Sequence, residues 1–144
     1  MFSKSCEYGI KAAIYITTQS LEGKRIKVAE IAENANSPLA FTAKLLGILT
    51  KYNIVSSQTG PNGGFYIEPN RVRGIKLEEI VSAIDGNSVY EGCGLGLNSC
   101  DSQNPCPLHN EFIHIRSELK KMLQTTTVYD LAMKLKAGES VLIR

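Results

Sequence analysis

Three cysteines fall close together in the pattern Cys93-x6-Cys100-x5-Cys106, and Pro107-Leu108-His109 follows directly. Thiolates and an imidazole on one short segment are ligands for soft metals, and glycines around them permit the dihedrals that turn several side chains inward. Three thiolates need a fourth ligand. His109 is nearest in sequence, while Cys6 or Glu7 near the N-terminus could be supplied across a dimer. The spacing is wider than the tight cysteine pairs usual in structural zinc sites and suits a larger body, an iron–sulfur cluster. A Cys3His zinc site, a metal-free thiol switch and a set of buried reduced cysteines are the alternatives, the last disfavoured because the loop has no apolar frame. An enzyme with Cys106 as nucleophile and His109 as base lacks any third orienting residue or oxyanion device. No Lys or Arg lies between Lys76 and Arg116, so cation activation of these thiols must come from outside the loop.

The elements around this loop must position it. Lys76-Leu77-Glu78-Glu79-Ile80-Val81-Ser82-Ala83-Ile84 reads as a helix with two acids in its dipole-favoured first turn, stopped at Asp85-Gly86-Asn87. From there to Pro107 the chain offers little regular apolar spacing, and a loop of this length is uncommon unless it has a job. Beyond Pro107, Leu108, Phe112, Ile115, Leu119 and Met122 alternate steps of four and three, a heptad seam that predicts a helix packing on a partner or on its own domain. Thr127 opens a last helix by capping, and Gly138 ends it.

The N-terminal half reads differently. Lys4 to Ser20 has helical spacing, with Tyr8, Ala12, Tyr15 and Ile16 on one side; Val28 to Glu33 is a second, short helix after an extended Arg25-Ile26-Lys27. Ser37 is placed to cap a third helix from about Leu39 to Tyr52 with Pro38 at its first position, and Phe41, Leu45, Ile48, Leu49 and Tyr52 form its inward face. Ile54-Val55-Ser56-Ser57 and Phe65-Tyr66-Ile67 are strands flanking Gly60-Pro61-Asn62-Gly63-Gly64, whose Asn-Gly signals a tight turn. Three helices followed by a hairpin is the order of a winged helix-turn-helix. Its third helix would enter a major groove, and its wing would follow the backbone or minor groove.

The predicted class is therefore mostly α with a small β-hairpin. A winged helix-turn-helix domain covers residues 1–76, a linking helix and cysteine-rich cluster-binding loop residues 77–106, and a long dimerisation helix with a C-terminal helix residues 107–144. Charge divides along the same line. Residues 1–76 hold ten Lys/Arg against five Asp/Glu, net +5, and residues 77–144 hold six against nine, net −3. The basic half points to a polyanion, with DNA contacts expected from Ser37, Leu39, Ala40, Thr42, Ala43, Lys44 and Lys51 on the third helix and Thr59, Gly60, Asn62 and Gly63 on the wing. An apolar share of 43% is ordinary for a folded chain. No stretch reaches the ~20 uninterrupted apolar residues of a membrane span, and no secretory cleavage pattern follows Ile16, so a cytoplasmic protein without membrane association is expected.

The Ser56-Ser57-x-x-Gly60-Pro61-x-Gly63-Gly64 wing and the three-cysteine loop, in this order and over essentially the whole chain, resemble the IscR/NsrR family of winged-helix iron–sulfur regulators. The resemblance implies a homodimer on a palindromic site in double-stranded promoter DNA, sensing cluster status, oxidants or nitric oxide. Cys106-Pro107-Leu108-His109 is similar to the IscR branch, in which a histidine at this place completes a [2Fe–2S] site, here favoured over [4Fe–4S]. Glu7 matches the place where NsrR-like members supply a carboxylate from the other subunit, and Cys6 ranks after both. The first cysteine gap is six residues where the family commonly has five. Thr59 stands where IscR-like members often carry arginine, and Ala43 where the recognition helix is acidic. The operator sequence is therefore not carried over. The alternative function is a winged-helix regulator with a thiol switch or zinc site and no cluster.

Overall fold

The computed structural model describes residues 2–144. Helix α1 (Lys4–Ser20) begins where the Ser3 hydroxyl accepts from the Cys6 amide at 3.0 Å. Its small residues Gly9, Ala12 and Ala13 are buried, which lets neighbouring helices come close. A β-carbon on Gly9 would lie 2.2 Å from the Ile84 side chain. Helices α2 (Val28–Ala35) and α3 (Leu39–Lys51) pack on α1 and on each other as a helix-turn-helix pair.

The hairpin pairs β1 (Ser56–Gln58) with β2 (Gly64–Tyr66) antiparallel, Ser57 opposite Phe65. Ile26 extends it by exchanging two hydrogen bonds with Phe65, at 2.9 and 2.8 Å. Two glycines make this possible. A β-carbon on Gly64, at φ +145°, would meet the Ile26 backbone at 2.8 Å, and one on Gly63 would meet the Gln58 carbonyl at 2.0 Å.

Helix α4 (Leu77–Asp85) starts where the Glu79 carboxylate accepts from the Lys76 amide at 2.9 Å and pairs with Arg71 at 2.8 Å. A one-turn helix α5 (Ser88–Glu91) follows, then the cysteine loop, then α6 (His109–Thr125) and α7 (Val128–Lys136). Thr127 caps α7, accepting from the Asp130 amide at 3.1 Å. Backbone bonds from Leu77 to Thr126 (3.0 Å) and from Val128 to Ile75 (2.8 Å) fasten the α6–α7 junction beside the start of α4. Helix α7 returns to pack on α1 through Val128 and Ala132, so one continuous core runs from the N-terminal helix to the C-terminal one.

Three expectations change. The inward face of α3 is Thr42, Leu45, Leu46 and Leu49, not the stripe through Phe41 and Tyr52. Tyr52 lies past the last turn, 55% exposed, and Phe41 stays half-buried with its ring edge-on to Tyr8 at 5.6 Å. Thr42 can face inward because its hydroxyl donates to the Pro38 carbonyl at 2.8 Å. Ser37 caps no backbone amide; it reaches the Thr42 hydroxyl at 2.5 Å, and Pro38 is the capping residue. The stretch between Asp85 and Pro107 is also not wholly irregular, since α5 anchors its first part through Tyr90, which is buried and whose hydroxyl donates to the Asn87 side chain at 2.8 Å.

Candidate DNA-binding surface and cysteine pocket

Helix α3 turns Leu39, Ala40, Ala43, Lys44 and Lys51 to solvent, along with Gly47. This face is small-sided and carries two exposed lysines. Ser37 is half-buried at its entrance, and Thr42 points into the core. On the wing Thr59, Gly60 and Asn62 are exposed, whereas Gly63 is buried under the turn, where it shapes the hairpin. Lys27, just ahead of α2, donates to the Gly60 carbonyl at 2.9 Å and so ties the wing to the helix-turn-helix. Arg25 stacks over Tyr66 with its guanidinium 4.8 Å from the ring centre. Neither Arg25 nor Lys27 stood among the residues expected to meet DNA; their position beside the strand that joins the hairpin is the signal that could have found them.

Cys93, Cys100, Cys106 and His109 line one small pocket, walled also by Gly94, Phe112 and Arg116. His109 is the first residue of α6 and only 9% exposed, with its amide bonded to the Cys106 carbonyl at 3.0 Å. Its Nδ1 lies 3.5 Å from the Cys100 sulfur. One and two turns further along α6, Phe112 and Arg116 complete the helical wall. Gly94 lies flat on the Phe112 ring, where a β-carbon would approach to 2.7 Å. The Leu95 amide points at the Cys93 sulfur at 3.4 Å. The backbone amides of Leu97 and Leu95, with a smaller contribution from the Cys106 thiol, hold the Cys93 thiol below its ordinary range. Asp101, also on the wall, is held low by the Asn104 side chain and the Gln103 amide.

Arg116 supplies the cation that the loop itself lacks. Its Nη2 donates to the Cys100 sulfur at 3.0 Å and its Nη1 to the Gly92 carbonyl, while Nε is buried without a hydrogen-bond partner among the described residues. Sequence reasoning stopped at the ends of the loop and missed it. The spacing of seven from His109, on the same helix face, was the available signal.

All four cysteines are free thiols. Among the described residues, no three His, Cys, Asp or Glu side chains stand close enough to enclose a single metal ion. The two other candidate ligands are elsewhere. Glu7 is exposed on α1 and pairs with Lys4 at 3.2 Å. Cys6 is fully buried, its thiol pushed up to about 12 first by burial and then by the Asp85 carboxylate beside it.

Residues 2–134 match the model of the Rrf2 family, described as iron-dependent transcriptional regulators. This chain belongs to the Rrf2 family. It is 30% identical over 135 residues to a protein of Aquifex aeolicus named as an HTH-type transcriptional regulator, covering 91% of this chain and 90% of that one. It is 26% identical over 124 residues to the HTH-type transcriptional regulator IscR of Pectobacterium atrosepticum, covering 86% and 74%. Among solved structures it is similar to CymR (YrzC), the global cysteine regulator of B. subtilis, with a TM-score of 0.73 and 22% identity over 92% of this chain and 96% of that one. T. potens IscR superposes with a TM-score of 0.71 and 17% identity over 98% and 92%. The Rrf2 assignment agrees with the resemblance drawn from the wing and the cysteines. The mostly helical fold with one hairpin is the winged-helix architecture of these structures, and the protein is a transcriptional regulator rather than an enzyme. Among the described residues no helix is long and apolar enough to cross a membrane.

Proposed function

We propose that this Rrf2 regulator binds a palindromic promoter site as a homodimer and adjusts that binding to the state of an iron–sulfur cluster held by Cys93, Cys100, Cys106 and His109. The observation that carries the reading is the gathering of these four donors around one pocket. Soft thiolates with one imidazole suit iron–sulfur chemistry. The orphaned Arg116 Nε adds a buried donor whose cost an incoming acceptor would remove. When bound, the cluster would supply one-electron and oxidant-sensitive chemistry. The chain's own part is to hold the sulfurs and fix the His109 ring at the head of α6, with Phe112 forming part of the pocket wall. His109 is preferred to Glu7 as fourth ligand because it already lines the pocket within its own chain.

In this reading residues 1–76 meet DNA, residues 77–106 carry the cluster and residues 107–144 join two copies. Support for the last part comes from α6. Leu108, Ile115 and Met122 recur at steps of seven and remain 38%, 57% and 41% exposed, an apolar stripe that the chain's own core leaves uncovered. A two-fold dimer along this stripe would set the distance between two α3 helices.

A second reading keeps DNA binding and replaces the cluster with a thiol switch. The lowered Cys93 thiol and its hydrogen-bond reach to Cys106 favour it. Anaerobic purification with iron, acid-labile sulfide and visible absorption measurements separates the two, using wild type and a Cys93, Cys100, Cys106 triple Ala variant. Stoichiometric iron and sulfide, lost in the variant, is the expected result. Zinc, or no metal after anaerobic reconstitution, would sink the cluster and leave the thiol switch. Sedimentation of the same samples reads the oligomeric state.

A further inference from the structure

We propose that Arg116 is the positioning residue of the cysteine pocket, a guanidinium that ties the start of the loop to the Cys100 sulfur and places a positive charge against whatever the thiolates hold. The inference rests on the cluster reading for its electrostatic part and on the metal-free geometry for the rest. One planar fork makes both contacts, Nη1 to the Gly92 carbonyl and Nη2 to Cys100 Sγ at 3.0 Å. These anchor points sit eight residues apart on a segment with no regular structure of its own after α5, so a single side chain from a rigid helix fixes the loop at two places. Lysine cannot copy this, because an ammonium is a point charge on a flexible stem.

The charge argument follows from composition. Residues 77–115 contain no Lys or Arg, and Asp101 on the pocket wall adds a negative charge near the thiolates. Thiolates and a cluster that gains an electron on reduction concentrate further negative charge there. Arg116 opposes that accumulation, so it favours the reduced state and strengthens the hold on the Cys100 sulfur through a charge-assisted hydrogen bond. Its unpartnered Nε provides one more donor for an acceptor in the pocket. Partners of this kind around metal ligands typically change metal affinity by about ten- to a hundred-fold.

The test compares wild type, Arg116→Gln and Arg116→Lys, each reconstituted anaerobically and each also kept metal-free. In the loaded proteins, the glutamine variant should have a lower reduction potential and release iron to a chelator about ten times faster. The lysine variant should keep most of the potential but not the slow release. In the metal-free proteins, amide hydrogen exchange over residues 92–106 should quicken in both variants while exchange in α1 and α3 stays as in wild type. A glutamine variant with wild-type potential overturns the electrostatic role. Unchanged exchange over the loop overturns the positioning role. Wild type that takes up no iron and sulfide overturns the cluster reading and the electrostatic role with it, and the exchange measurement then decides the anchoring alone.

Discussion

In the helix-turn-helix half, Leu46 and Leu49 of α3 are fully buried against α1, and backbone geometry follows from packing. Between Gly92 and Cys106, by contrast, most residues are exposed, no apolar side chain is buried, and the loop is held by Arg116, the Phe112 ring and the His109 amide. The first region has its shape before DNA arrives. The second has its donors gathered around one pocket on a segment held from outside by a few side chains, so it should open more readily than the packed half.

The comparison breaks most sharply at Leu46. Leu46→Ala removes a fully buried side chain and should cost about 2–5 kcal/mol, read as a fall in thermal or urea midpoint. The triple Ala variant of the loop cysteines, measured metal-free, should move the same midpoint by less than about 1 kcal/mol, since half-exposed residues outside the core contribute little. A loop variant as destabilising as Leu46→Ala would mean that the cysteine pocket is part of the folding core.

The same contrast explains what the sequence made legible. Helix α1 was readable to its ends, Lys4–Ser20, because its apolar period is long and Gly23 stops the chain after it. The hairpin was readable from Asn62-Gly63 and the flanking strands. The facing of α3 was not, because a threonine that satisfies its own hydroxyl on the Pro38 carbonyl can sit in a core where a polar residue looks misplaced. That Cys93, Cys100, Cys106 and His109 gather around one pocket was legible from residue type and spacing. Arg116 was not, since it comes from a helix beyond the loop and acts on Cys100, sixteen residues earlier in the chain. Local spacing carries information about a helix face, and only the fold brings that face under the loop.

Sulfur chemistry sharpens the comparison next. Cys6 is fully buried on α1, beside Asp85 at the end of α4, its thiol pushed up to about 12 by burial and Asp85. In the metal-free native protein an alkylating reagent at pH 8 should label Cys93, Cys100 and Cys106 and leave Cys6 unmodified until denaturant is added, as peptide mass mapping would read. The sign of the pH effect follows. A folded-state value above the unfolded one means that the neutral thiol is favoured in the native protein, so this contribution is complete below about pH 9 and is lost as pH rises toward 12. The stability gap between wild type and Cys6→Ala should therefore narrow over that range. A gap that is constant from pH 8 to 11 would show that Cys6 does not experience this burial.

On the DNA-facing side, Lys44 and Lys51 are exposed on α3 and make no ion pair among the described residues. If each neutralises a phosphate, the double Ala variant should reduce the slope of log affinity against log salt by about 2, while its melting point stays near wild type. An unchanged slope would move the phosphate contacts to the wing, where Arg25 and Lys27 are the next cations to test.

A small effect is also expected at the seam between the two regions. Thr127 caps α7 and lies beside the backbone bonds that join α4 to the α6–α7 junction. Thr127→Ala removes one side-chain acceptor at a helix start and should cost about 1 kcal/mol. The loss should be the same with the pocket metal-free or loaded if α7 belongs wholly to the rigid reader, because its packing partner is α1 rather than the loop. A cost that differs between the two states, measured by urea unfolding of both preparations, would instead place α7 among the elements that move when the pocket fills. The cysteine loop would then act on α1, and through the Tyr8–Phe41 contact on α3, from the far end of the chain.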